Sequence, residues 1–318
     1  MTIPFHEGEL AIQQRLNVTD QALRLSSIYD TKIIPAALPF INQQPMLVIG
    51  SIDANGLVWA SILVGNPGFV RALDQHTLHI DRSLPHSTLG DPLWLNLSHP
   101  QAGVAPKVGL IFIELSTRRR IRVNGHVKTI SPEHLIINVD RAYPNCPKYI
   151  QRRDWNINNP NTKATTTMTN NLHLEGVELN HAQNTLIATA DTFFVASAHP
   201  DHGVDTSHRG GSPGFVQIIN NTQLRIPDFI GNNMFNTLGN FISYPYAGLI
   251  FIDFQRGRLL QLTGQAEVLW SIDDPQNESG GTQRFWQFEI TNWFESSLPI
   301  ELTWSYIDAS PFNMIRES

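Results

Sequence analysis

Two stretches of the chain carry the same run of apolar and polar positions, in the same order. Residues 66–80 read NPGFVRALDQHTLHI and residues 212–226 read SPGFVQIINNTQLRI, an offset of 146 positions. Residues 109–125 read GLIFIELSTRRRIRVNG and residues 248–264 read GLIFIDFQRGRLLQLTG, an offset of 139. Matched blocks in matched order predict a duplicated domain. A helical pattern leads each copy: Leu10, Leu16, Leu23 and Leu25 space the first, and Leu179, Ala182, Leu186 and Ile187 share a face in the second. A strand follows each helix (45–51 and 191–197), then a turn, DANG at 53–56 and HPDHG at 199–203. Next come VWASILV or VDTSHRG, the PGFV block, and a strand ending at Ile80 or Ile226. The continuous apolar run GLIFI reads as a buried strand. A hairpin and a last strand, 133–143 or 284–294, complete each copy. About six strands with few helices predict a mainly β fold, one small antiparallel barrel per copy. The domains are expected at 1–155 and 172–318, with the polar stretch 156–171 as linker.

Composition narrows the function classes. The 318 residues are 41% hydrophobic and 16% charged, enough for a core in each copy, and the formal net charge is −6. That balance argues against a general nucleic-acid binder. No apolar run is long enough to span a membrane, and the first residues lack the basic-then-apolar order of a secretory signal. The one cysteine, Cys146, excludes an intramolecular disulfide, and a cytoplasmic location is expected.

The copies differ at their polar positions. Aligning 58–66 with 204–212 sets Ser61 against Ser207, Ile62 against His208 and Leu63 against Arg209, followed by Gly210 and Gly211. Lys148 of the first copy aligns with Pro299. Arg118, Arg120 and Arg122 share a strand face, and the latter two align with Leu259 and Gln261. A solvent-facing basic strand is the simpler reading of these arginines; one reaching across to the other copy is the alternative. Residues 231–242 read as a short helix capped by Asn232 or Asn233. Met234, Phe235, Leu238, Phe241 and Ile242 form its apolar face, and Asn233, Thr237 and Asn240 a polar stripe. His199, His202 and His208 with Asp201 and Asp205 raise a metal reading, but the alignment puts His199 and Asp201 on an exposed hairpin tip, so no metal is expected. Cys146 has no apparent base partner and reads as structural. Neither a phosphate-binding Walker loop nor a dinucleotide fingerprint on a βαβ unit is present.

The blocks PGFV, SHRGG, GNNMFNTLGN and GLIFIDF, with the tail AYPNCPKYIQRR at 142–153, resemble the FMN-binding split barrel, in particular the pyridoxamine 5′-phosphate oxidase-related flavoproteins. The resemblance covers most of the chain in two tandem copies. It implies that the halves pack as an internal pseudo-dimer with noncovalent FMN between them. It also implies oxidoreductase activity with a small-molecule substrate or electron donor, as a monomeric pseudo-dimer or a homodimer. A flavin or haem carrier without turnover, or a degenerate structural module, are the other readings this fold allows. On the resemblance, Arg209 and Lys148 are expected to meet the phosphate, with Arg120 among the cofactor-binding residues. Ser207, His208, Gly210, Gly211, Asn232, Asn233, Thr237 and Asn240 would line the cofactor. Relatives often carry arginine or lysine near Asn233, and this chain does not.

Overall fold

The computed structural model describes residues 4–83, 87, 90–98, 104–157, 174–299 and 302–314. Strands dominate it. The first half holds β1 (Met46–Ile52), β2 (Val58–Val64), β3 (Val70–Ala72), β4 (Thr77–Asp81), β5 (Lys107–Glu114), β6 (Arg119–Ile130) and β7 (His134–Pro144). They form one antiparallel sheet in the order β2-β1-β5-β6-β7-β4-β3. After β8 (Arg152–Ile157) and β9 (Leu174–Gly176), the second half holds β10 (Thr192–His199), β11 (Gly203–Gly210), β12 (Gln217–Asn220), β13 (Gln223–Pro227), β14 (Tyr246–Asp253), β15 (Arg258–Leu269) and β16 (Phe285–Ser297). Its order, β11-β10-β14-β15-β16-β13-β12, repeats the first sheet position for position, with β9 added on β16. A last strand, β17 (Leu302–Asp308), pairs with β8, so the tails of the two halves bind each other.

The register repeats as well. Leu47 faces Leu63 as Phe193 faces Arg209, and Phe112 faces Ile121 as Phe251 faces Leu260. The fold is thus two tandem split barrels, and the offsets of 146 and 139 are structural equivalences. Of the proposed linker, residues 156 and 157 belong to β8 and 158–171 lie outside the described residues.

Three apolar cores account for the unbroken apolar strands. Leu110 and Phe112 fill the first barrel, and Leu249 and Phe251 the second. The intervening Ile111, Ile250 and Ile252 join Val48, Ala60, Ile62, Phe194, Ala196 and Leu259 in a third core between the barrels. A strand buried on both faces has no use for polar alternation. The halves approach so closely that a Cβ on Gly109 would stand 2.6 Å from the Val204 carbonyl oxygen, and one on its counterpart Gly248 would stand 2.6 Å from Trp59 and Ala60 backbone.

The helices depart from expectation at the N-terminus. Instead of one leading helix there are two, α1 (Glu7–Arg15) and α2 (Thr19–Leu25), separated at Asn17, whose φ is +55°. The remaining helices are α3 (Leu38–Asn42), α4 (Pro92–Ser98), α5 (His181–Thr189) and α6 (Asn236–Ser243). The counterpart of α5 is α3 with the turn before it, whose Phe40 and Ile41 enter the first core. Helix α1 packs on α6 of the second half and sends Ile12 into that barrel's core. Gly8 and Gly239 permit this crossing: a Cβ on Gly8 would lie 2.2 Å from the Gly239 carbonyl oxygen. The leucine spacing misplaced the buried face, since Leu25 is exposed while Ile12 and Ala22 are buried. Among the described residues no helix is long and apolar enough to cross a membrane.

Candidate functional site

An open cavity of about 880 Å³, mouth included, lies where the two halves meet. The first half supplies Arg120 and Arg122 from β6 and the tail residues Asn145, Cys146, Lys148 and Tyr149. The second half supplies His208, Arg209 and Gly210 from β11, the segment around Asp228–Asn236, and Thr237 and Leu238 of α6. Among the described residues, four cations and one carboxylate, Asp228, line it.

The arginines of β6 are not solvent-facing. β11 of the other half covers that face, and both reach across to it. Arg122, 9% exposed, pairs with Asp205 at 2.9 Å, and Tyr143 donates to the same carboxylate at 2.6 Å. Arg120 donates through Nε and a terminal nitrogen to the Cys146 carbonyl at 3.0 and 2.6 Å, and through the other to His208 Nδ1 at 3.2 Å. Arg118 does not share the face. It sits in the preceding turn with φ +57° and binds the Ile150 carbonyl and Asp308.

The charges are unevenly answered. Arg209 pairs with Asp228 at 3.1 Å, and Arg284 holds the other oxygen at 2.7 Å. Among the described residues Arg120 and Lys148 have no carboxylate partner. Burial, then Arg122, draws the Arg120 pKa down to about 9, as expected for a cation lacking a counterion. Lys148 lies over the Phe312 ring, 5.2 Å from its centre. Burial and the arginines, Arg120 first, hold His208 neutral. Arginine only donates, so His208 Nδ1 accepts and its proton resides on Nε2. Among the described residues that Nε2, like Arg209 Nε and Arg122 Nε, is buried without a partner. Beside this cationic group stands an aromatic wall: Tyr149 stacks on Phe229 at 5.0 Å, and Phe229 on Phe215 at 6.4 Å.

Several expected site residues serve the protein rather than the cavity. Ser207 bonds Thr237 at 3.0 Å and is not itself among the lining residues. Gly211 makes room for Phe215, and Gly210, although it lines the cavity, for the Tyr149 carbonyl. Helix α6 begins at Asn236 after a left-handed Phe235 with no side-chain cap, so neither Asn232 nor Asn233 caps it. With Asn233 outside the helix the polar stripe breaks. Asn240 turns away to Ser197 at 2.9 Å, and Ile242 is exposed. Tyr149, Phe229 and Asp228 escaped the sequence reading because loop aromatics and a lone aspartate carry no periodic signal. Cys146 is exposed at the cavity's edge and contributes its carbonyl.

The pseudo-symmetric cleft is closed by apolar and neutral side chains. Ile62, Leu63 and Leu259 stand where His208, Arg209 and Arg120 stand, each in an apolar core. Gln261, the counterpart of Arg122, donates to the Ala60 carbonyl and Ser61 at 2.9 and 3.2 Å, and Ser61 donates to Asp91 at 2.6 Å. Burial raises the Asp91 pKa from 3.8 to about 6. Among the described residues Asp91 Oδ2 and Gln261 Oε1 are both buried acceptors without a donor, and a proton on Asp91 relieves that shortage. A carboxyl raised on folding contributes stability that is complete below its unfolded pKa and lost as pH rises through its folded one. Between pH 4 and 7, the wild type is therefore expected to lose up to ~3 kcal/mol relative to Asp91→Asn, from a shift of about two pKa units. Urea midpoints at several pH values check this; parallel curves would place the proton elsewhere.

The hairpin turn also departs from expectation. His199 is 3% exposed, covered by the N-terminal segment, while Asp201 and His202 are exposed. His6, Glu7 and His199 bring possible ligand atoms within 4.8 Å of one another. The protons oppose a metal there. His199 Nδ1 accepts backbone N–H bonds from Asp201 and His202, so Nε2 carries the hydrogen it gives to Glu7 at 2.8 Å. His6 Nδ1 accepts from Gly8, and burial with the nearby His199 pulls the His6 pKa down to about 4. Both Nε2 atoms are donors, the reverse of a metal-ready tautomer. The group fastens α1 to the β10–β11 turn.

No protein-family model matches the chain, and no curated protein matches it. Solved structures do. A candidate pyridoxamine 5′-phosphate oxidase from Lactobacillus delbrueckii is 14% identical, with 38% of this chain and 98% of that one covered and a TM-score of 0.32. HupZ from Group A Streptococcus is 11% identical, with 38% and 98% covered and a TM-score of 0.31. A FAD-binding protein from Mesorhizobium loti is 13% identical, with 39% and 99% covered and a TM-score of 0.26.

Proposed function

We propose that the cavity between the halves binds FMN noncovalently, one molecule per chain, and that the chain acts as an oxidoreductase on a small-molecule substrate. The observation that carries this reading is the pair Arg120 and Lys148. Both are cations without a carboxylate partner among the described residues, and both line one cavity with a stacked aromatic wall. A flavin mononucleotide joins a dianion to a flat ring and suits that combination. The buried, unpartnered donors His208 Nε2 and Arg209 Nε support a ligand rich in acceptors.

Arg120 and Lys148 would neutralise the phosphate, with Arg209 as a further donor whose charge Asp228 already answers. Tyr149 and Phe229 would flank the ring, and His208 would give one neutral hydrogen bond. When bound, the isoalloxazine ring supplies the electron or hydride transfer. The residues here bind and orient. The one lining carboxylate is held by two arginines, so it is not set up to move a proton. Haem ligation through His208 fits less well, because its Nε2 carries the hydrogen.

Titration of the purified protein with FMN, followed by flavin fluorescence and by the absorbance retained after desalting, tests the reading. Saturation at one FMN per chain is expected. No retention and no quenching would defeat the FMN assignment; two per chain would show that the second cleft opens.

A further inference from the structure

We infer that the N-terminal helix pair α1–α2 is a clamp that holds the cavity's rim in its ligand-receiving shape, a proposal that rests on the FMN reading above. The rim is the loop Gly231–Asn236, which presents Asn232, Asn233, Phe235 and Asn236 to the cavity. Two of its residues are left-handed, Asn233 and Phe235, with φ of +61° and +60°; asparagine tolerates that region, but a phenylalanine rarely adopts it. Something outside the loop must favour that shape over its relaxed alternatives.

The N-terminal segment supplies the contacts. Gln13 of α1, fully buried, donates to the Met234 carbonyl at 3.2 Å, midway between the two left-handed residues. Asn233 donates to Gln21 of α2 at 2.8 Å. Asn236 donates to Glu9 of α1 and to Tyr29 just after α2. The Met234 side chain is buried in a separate small core with Phe5 and Ala22, not in either barrel. These bonds join residues more than two hundred positions apart. They come from a segment that precedes the first barrel in the chain yet seats on the second through Gly8 and Gly239. Gln13, Gln21 and Glu9 are positioning residues: they act on the cavity through the loop.

The test uses the full chain with Gln13→Leu and Gln21→Ala combined, and Gln21→Ala alone, which alters only a surface side chain. Hydrogen exchange in the ligand-free protein reads the clamp without reference to any ligand. Exchange across residues 229–238 is expected to accelerate roughly tenfold in the double variant, as two lost hydrogen bonds convert, with β14 and β15 unchanged. FMN affinity is expected to fall by a similar factor. Unchanged exchange in the rim, or equal acceleration throughout the protein, would overturn the clamp. So would undiminished FMN affinity in a protein whose wild type binds it. A wild type that binds no FMN would defeat the FMN reading instead, and the exchange result would decide the clamp alone.

Discussion

Replacing Arg120 by leucine, the residue its counterpart Leu259 carries, is expected to weaken FMN binding by roughly 10- to 150-fold, the worth of one charge-assisted contact. Riboflavin, which lacks the phosphate, should bind the variant as it binds the wild type. The asymmetry follows from charge. Arg122 and Arg209 each have an aspartate, so their charges are already answered, whereas Arg120 has a carbonyl and a neutral imidazole. Burial first, and then the neighbouring Arg122, depress its pKa, and an arriving dianion would offset the penalty on its charged form. A second readout separates a binding role from a structural one. Arg120 is the largest electrostatic influence holding His208 neutral after burial, so the variant's imidazole should titrate at higher pH, visible by NMR. Equal losses for FMN and riboflavin would mean that Arg120 shapes the cavity rather than meeting the phosphate.

How far the site was legible in the sequence depended on the kind of signal. The duplication, the mainly β class and the alignment of Ser61 with Ser207 came from repeated blocks, and the strand register reproduces them. The same alignment brought out His208 and Arg209, and that of the last strands Lys148, because a polar residue opposite an apolar counterpart needs a reason. It did not foresee the partner of Arg209, since Asp228 lies in a loop that no periodicity connects to β11. It misjudged Arg120 and Arg122 for a related reason. Alternation marks one face of β6, and only the packing of the halves decides whether water or β11 covers it. The N-terminal helices were misread most. Leucine spacing locates an amphipathic face but not its partner, and the crossing at Gly8 and Gly239 pairs residues 231 positions apart. Left-handed φ at Asn233 and Phe235 likewise replaced a helix cap that the asparagines suggested.

A large loss of stability is expected from Gly248→Ala. A Cβ at this position would stand 2.6 Å from Trp59 Cα, Trp59 carbonyl carbon and Ala60 nitrogen. All three atoms are backbone in β2, so no rotamer change can yield, and one half must move relative to the other. Overpacking of this kind costs about 3 kcal/mol at the upper end of its usual range, and valine should cost more. Gly109 occupies the equivalent place against Val204 and Asp205, so Gly109→Ala should give a similar loss through the opposite side of the interface. Gly231→Ala is the control: nothing lies within 4 Å of its Cβ, and a change within about 0.5 kcal/mol is expected. Urea midpoints compare the three. The displacement should also reach the cavity, because Arg120 meets His208 and Arg122 meets Asp205 across this same interface. Gly248→Ala should therefore lower FMN affinity although Gly248 does not line the cavity. If stability falls and affinity does not, the halves have yielded locally around β14 and the geometry of the cleft is independent of the close approach. If neither falls, β2 and β14 lie farther apart than the packing described here, and the third core does not hold the barrels in register.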